Sequence, residues 1–257
     1  MPPFSWKVVS ASVAGFSHLI DNLPCQDQHA FSVLPKGWLV AVVSDGAGSA
    51  PLSQEGAAEI CKGLVERLSE KLPELEATGE EWKGDTIRAF ICEGIELARA
   101  RLGERQSELR DFAATVVGAI AGSNGGVLFH IGDGAACATV SGDLSSTIMS
   151  LPENGEYANE TYFFTQDEWR EHLRITTFGG NYDLITLMSD GVTPFALAPR
   201  LAGPHIPFFE PLSRYFADHD REEGCRALGA TLQSDSIRRI TGDDKTLLWA
   251  VRIKTDG

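Results

Sequence analysis

Four apolar runs in this chain stop at, or start from, an aspartate that has glycine for a neighbour, and no other feature constrains the fold as tightly. The first is LVAVVSDGAG, ending at Gly48; the others are HIGDG (130–134), ITLMSDG (185–191) and TGDDKTLLWAV (241–251). Asp45, Asp133, Asp190 and Asp243 therefore fall at or just beyond the ends of expected buried strands. One Asp-Gly pair is an ordinary turn, because both residues form turns readily. Four of them after or before apolar strands describe a fold that gathers carboxylates. An oxygen-only site of that kind suits a hard divalent cation, and magnesium keeps several waters while taking only a few carboxylates.

The sequence around these points supplies strands and helices in blocks. Residues 6–14 alternate and read as a first strand. Residues 15–24 read as a loop carrying Ser17, His18 and Asp21, and 29–34 with 38–44 as an antiparallel hairpin around Pro35-Lys36-Gly37. From Ser53 the period becomes helical: Ala57, Ile60, Cys61, Leu64, Leu68 and Leu72 share a face, with Ser53 as cap and Pro73 as stop. A second helix is expected from Asp85, its stripe being Ile87, Phe90, Ile91, Ile95, Ala98 and Leu102. Strands return at 112–121 and 127–131 around Asn124-Gly125, and again at 135–140. A polar flap is expected at 152–165, a short helix at 166–172, a strand at 184–189, helices at 207–217 and 222–232, and a last strand at 246–253. This order predicts an α+β chain: a β-sandwich of two antiparallel sheets flanked by pairs of α-helices, in four layers α-β-β-α. At 257 residues, 43% hydrophobic and without repeats or a low-complexity linker, the chain is expected to form a single domain over 1–257.

Lysine and arginine number 22 and aspartate and glutamate 36, a net charge of −14. That balance argues against a nucleic-acid or anionic membrane partner, both of which reward clustered cations, although most of the acidic residues serve simply as a solubilising exterior. Cysteines 25, 61, 92, 137 and 225 are widely spaced and include no C-x-x-C pair. They point to neither a zinc knuckle nor a disulfide framework, and to a reducing, cytoplasmic setting. The start, MPPFSWKVV, lacks a signal-peptide pattern, and no apolar run is long enough to cross a bilayer.

In order and spacing, QDQHAF, VVSDGAGSAPLSQEGA, FAATVVGAIA followed by HIGDGAA, LMSDGVT and GDDKTLL resemble the metal-dependent protein phosphatases, the PPM or type 2C serine/threonine phosphatase family. The resemblance runs over nearly the whole chain, and SHLIDNLPCQDQ resembles a bacterial, phosphatase-like branch. It implies a PPM-type sandwich with a two-metal site at one end. It further implies hydrolysis of phosphoserine or phosphothreonine in phosphoproteins by a metal-activated water, in regulation with a serine/threonine kinase. The implied cofactors are two Mg²⁺ or Mn²⁺ ions with a weaker third. Asp45 would bridge the two, the Gly46 carbonyl would bind one, Asp190 and Asp243 would complete the other, Asp27 would hold a water, and Asp133 would serve the third. Asp27 and Asp133 read equally well as turn carboxylates, and Asp244 as an outer-sphere or solvent-facing residue. The chain has no C-x5-R loop, D-x-D-x-T nucleophile or G-x-S-x-G elbow, in agreement with a reaction that needs no covalent phosphoenzyme.

The chain departs from the family pattern at three places. Asn22 stands where many members carry a phosphate-gripping arginine, Gln26 where many have glutamate, and Ala47 where some have histidine. His18, in the loop expected to overhang the metals, then either binds phosphate or protonates the leaving oxygen, or it only packs the loop. The other histidines (29, 130, 172, 205, 219) are assigned structural roles. The missing arginine motivates an alternative function, a catalytically weak module that binds metal and phosphorylated partners. The cluster Glu156, Tyr157, Asn159, Glu160 and Thr161 occupies the family's variable flap, as either a substrate selector or a plain surface loop.

Overall fold

The structure, a computed structural model, describes residues 4–78, 84–152 and 161–255. In chain order its elements are β1 (Phe4–Val13), α1 (Phe16–Asp21), β2 (Gln28–Leu34), β3 (Trp38–Ser44), α2 (Ser53–Thr78), α3 (Gly84–Gly103), β4 (Val116–Gly122), β5 (Gly125–Ile131), β6 (Ala135–Val140), β7 (Asp143–Ser150), α4 (Trp169–His172), β8 (Arg174–Gly179), β9 (Leu184–Met188), α5 (Thr193–Ala196), α6 (Ile206–Asp218), α7 (Arg221–Leu232), α8 (Asp235–Arg238) and β10 (Lys245–Lys254). The strands form two five-stranded sheets, β1-β10-β9-β6-β7 and β2-β3-β4-β5-β8. All neighbours pair antiparallel.

The layering follows from strand alternation. On β3, Leu39, Ala41 and Val43 face the other sheet and pack with Trp6, Val8, Ile185, Leu187 and Leu248. Val40 and Val42 face outward, against Ile60 and Leu64 of α2 and Ile91 and Ile95 of α3. A strand covered on both faces has no polar side, so its sequence is apolar at every position. The other sheet repeats the arrangement, with Val9, Leu247 and Trp249 under Phe209 and Phe216 of α6 and Leu228 of α7. The two sheets and two helix pairs are the expected four layers.

Four local expectations change. α2 continues through Pro73 to Thr78 instead of stopping. A proline inside a helix removes one hydrogen bond and costs about 3 kcal/mol; the fully buried turns at Ile60, Leu64, Leu68 and Leu72 hold the helix in place across that loss. The 15–24 loop contains α1. β7 and β8 emerge as strands at the edges of the two sheets; half exposed, they lack the unbroken apolar run that marks a central strand. The β4–β5 hairpin turns on Ser123-Asn124, with Gly122 paired to Gly125 at φ +123°. The flap residues 156–160 lie outside the described residues. Among those described, no helix is long and apolar enough to cross a membrane.

Candidate active site

Antiparallel pairing gathers the aspartates. Gln28 pairs with Ser44, which sets Asp27, just before β2, beside Asp45, just after β3. Leu247 pairs with Met188, bringing the 243–244 turn next to Asp190. Ala135 pairs with Met188 from the other side, adding the β5–β6 turn that carries Asp133. Ser189 ties the two sheets together here: its hydroxyl donates to Asp27 Oδ2 (2.7 Å), while the Thr246 N–H donates to Ser189 Oγ (2.9 Å). The Asp45 backbone is fixed by Thr115, whose Oγ1 accepts from the Asp45 N–H at 3.0 Å and whose own N–H donates to the Asp45 carbonyl at 2.8 Å. Two neighbouring glycines serve the construction itself. Gly132 takes φ +109° in the turn before Asp133, and a Cβ on Gly191 would lie 1.9 Å from the Asp244 carbonyl.

Asp45, Gly46, Asp133, Asp190, Asp243 and His18 all line one cleft of about 500 Å³. Asp27 is buried against Asp45, only 1% exposed. Burial is the main force on these acids. It pushes Asp45 well above the usual carboxylate range, helped by the negative charges of Asp27 and Asp190. It raises Asp27 to about 7 and Asp190 to about 6, the latter with Asp133 and Asp243 adding to the repulsion. Asp27 Oδ1, Asp190 Oδ1 and Gln26 Oε1 are buried without a hydrogen-bond partner among the described residues. Crowded carboxylates with spare lone pairs are what a divalent cation neutralises, so this donor set fits one. Among the described residues no group of three or more His, Cys, Asp or Glu side chains is arranged to hold a metal ion by itself; magnesium takes only a few carboxylates and fills the rest of its sphere with waters.

Asp244 has a role that the sequence pattern does not disclose. Only 2% exposed, it accepts from the Gly15 N–H (2.7 Å) and pairs with His18 Nδ1 (2.9 Å) through Oδ1. Its Oδ2 accepts from the Gln26 N–H (2.6 Å). One carboxylate thus clamps α1 and the Gln26 segment to the start of β10. Its partners lie more than two hundred residues away in sequence, so no local spacing could reveal the contact. His18 is held through Nδ1, and it is the one basic side chain among the described residues lining the cleft. Asn22, at the expected arginine position, is instead the left-handed cap of α1 (φ 53°, ψ 34°) and does not line the cleft. Asparagine tolerates that conformation better than most residues, and here it ends the helix. Thr161 at the flap margin donates its hydroxyl to Asp133.

An antiparallel double sheet flanked by helices, with acids collected at one end, is the architecture of the type 2C phosphatases, and the profile of that family, protein phosphatase 2C, matches residues 14–233. Serine/threonine-protein phosphatase 3 of Escherichia coli K12 is 32% identical over 257 residues, covering 96% of this chain and 99% of the relative. The chain belongs to the protein phosphatase 2C family and is a serine/threonine protein phosphatase. Members of the family are in general dependent on Mg²⁺ or Mn²⁺. The same fold is seen in a bacterial serine phosphatase (TM-score 0.64, 13% identity, 97% of this chain and 99% of that one). It recurs in Stp1 of Staphylococcus aureus (TM-score 0.63, 13% identity, 97% and 95%). RsbX, solved in complex with magnesium, is similar at TM-score 0.56 and 14% identity, over 98% of this chain and 100% of that one.

Proposed function

We propose that this phosphatase hydrolyses phosphoserine and phosphothreonine in proteins at the acidic end of the sandwich. Asp45, the Gly46 carbonyl, Asp190 and Asp243 would hold two divalent cations, and Asp133 a weaker third. When bound, such ions supply a nucleophile from water at neutral pH and neutralise charge on the phosphoryl oxygens. The observation that carries the reading is the set of buried, mutually repelling carboxylates in which Asp27 Oδ1 and Asp190 Oδ1 have no hydrogen-bond partner among the described residues.

The chain's own groups divide the remaining work. Asp27, bonded through Oδ2 to Ser189, offers Oδ1 to orient the attacking water. Its raised pKa, due mainly to burial, suits it to taking up a proton near neutral pH. Water oxygen attacks phosphorus, the phosphorus–oxygen bond to the serine or threonine breaks, and the departing oxygen needs a proton. In this reading His18 gives it. With Nδ1 held by Asp244, the ring would present Nε2 to the cleft as the proton donor. His18 thereby offers the cleft an N–H donor that Asn22, turned to capping α1, does not, which speaks for an enzyme over a weak phosphopeptide-binding module.

Phosphoproteins are the substrates in this reading, and a serine/threonine kinase acting on the same side chains is the opposing enzyme. A reducing, cytoplasmic setting belongs to the same proposal, supported by five unpaired cysteines. The test is Mn²⁺-dependent hydrolysis of p-nitrophenyl phosphate and phosphopeptides by the wild type and by Asp45→Asn and Asp190→Asn. Metal-dependent turnover lost in both variants is expected; equal turnover in all three proteins would overturn the assignment.

A further inference from the structure

α1 has two dissimilar sides. Ser17, His18 and Asp21 share one, and it is pinned to the turn before β10: the Ser17 N–H and hydroxyl both donate to the Gly242 carbonyl (3.2 and 2.7 Å), and His18 holds Asp244. Phe16, Leu19 and Ile20, at i, i+3 and i+4, share the other. They are 51%, 49% and 63% exposed, and Leu23, just past the Asn22 cap, is 45% exposed. Ten large apolar side chains are exposed among the described residues, and four of them fall in these eight positions. Among the described residues no other helix makes an extended contact with α1. The polar side therefore fixes α1 on the catalytic cleft while the apolar side stands free beside it.

We propose that the apolar side of α1 is the docking surface for the substrate polypeptide, and that it selects apolar residues within about three positions of the phosphorylated side chain. The inference rests on the phosphatase reading of the cleft. A six-residue helix is about 9 Å long, which an extended chain covers in about three residues. Because His18 lies on α1 and lines the cleft, a phosphate held in the cleft carries its flanking residues across this helix. The net charge of −14 and the acidic cleft disfavour acidic flanks and anionic lipid surfaces. A second copy of the chain is a poor occupant, since a stable dimer needs about 800 Å² from each partner, far more than one six-residue helix offers.

The experiment uses the full, Mn²⁺-loaded protein with p-nitrophenyl phosphate and two phosphoserine peptides of equal charge. One peptide carries Leu and Phe within three positions of the phosphoserine, and the other Gly and Ser. The wild type should prefer the apolar peptide by about tenfold in kcat/KM. The double variant Leu19→Ser/Ile20→Ser should bring that ratio close to one, as should Phe16→Ser in part, while turnover of p-nitrophenyl phosphate stays within about twofold and reports that the site is still folded. No preference in the wild type, or an unchanged ratio in the variants, overturns the proposal. So does an intact ratio accompanied by loss of a dimer on sizing, or by loss of binding to phosphatidylcholine vesicles, since either result assigns the face to another occupant. If the wild type fails to hydrolyse p-nitrophenyl phosphate, the phosphatase reading fails by itself. Fluorescence anisotropy with the same two peptides then applies the same ratio test to binding.

Discussion

The two ends of the sandwich solve the burial of charge in opposite ways. At the end away from the cleft, Arg252 lies over the rings of Phe4 and Trp6. Its two terminal nitrogens donate to the carbonyls of Gly180 (2.9 Å) and Gly122 (2.7 Å). Trp6 closes the same corner by donating to the Gly37 carbonyl at 2.8 Å. Charge there is met largely from within the chain, with Arg252 Nε alone of its nitrogens left without a hydrogen-bond partner among the described residues. At the acidic end, Asp27, Asp45 and Asp190 repel one another, and two of their oxygens have no partner. The first arrangement stabilises the fold, while the second leaves an electrostatic demand for a ligand to satisfy.

If that contrast is right, substitutions at the two ends should separate activity from stability. Asp45→Asn should lower Mn²⁺-dependent kcat/KM by at least about 100-fold, since even outer-shell changes at metal sites cost 10–100-fold. His18→Ala should lower turnover of a phosphopeptide by about 100-fold, the lower part of the range for a general acid. The loss should be smaller for p-nitrophenyl phosphate, whose leaving group needs little proton transfer; equal losses on both substrates would make His18 a phosphate binder instead. Arg252→Met should do the reverse. Losing two hydrogen bonds from a charged group and its ring contacts should cost about 2 kcal/mol in urea unfolding, with kcat/KM on p-nitrophenyl phosphate unchanged.

The smallest effect separates the two kinds of buried charge by the sign of their pH dependence. His130, fully buried with one nitrogen on Ser150 Oγ and the other unpartnered, is held well below its ordinary pKa of 6.5 by burial, with Arg174 adding to it. The unfolded chain binds this proton more readily, so the stability associated with neutral His130 is present above pH 6.5 and is lost below it, by up to about 1.4 kcal/mol per pH unit. The metal-free carboxylates act oppositely. Raised to about 6 for Asp190 and about 7 for Asp27, they contribute most below the ordinary carboxylate range, and that contribution fades as pH rises through 6 to 7. Urea titrations of chelated protein should therefore show the acid limb of stability rising more steeply toward low pH in His130→Gln than in the wild type.

Much of this was legible in the sequence because it is local. β3 announces itself through an apolar run that only a doubly covered strand needs, and Asp45, Asp133, Asp190 and Asp243 through their places at strand ends. The edge strands β7 and β8 were not legible, since half-solvated edges dilute the apolar signal with Ser and Thr. Asn22 looked like a missing arginine until its left-handed backbone showed it to be a helix stop. Asp244 was least legible of all: its place beside Asp243 is visible, but its clamp on Gly15, His18 and Gln26 exists only once β1 and β10 are paired.

The most direct test of the acidic end is urea unfolding of metal-stripped wild type and Asp45→Asn at pH 7.5, repeated with Mn²⁺. Removing one of the repelling charges should make the stripped variant more stable than the stripped wild type by about 1–2 kcal/mol, the scale of a one-unit pKa displacement, and Mn²⁺ should reverse that order by stabilising only the wild type strongly. A stripped variant less stable than the wild type, with Mn²⁺ raising both equally, would contradict the claim that these carboxylates are held together for a cation.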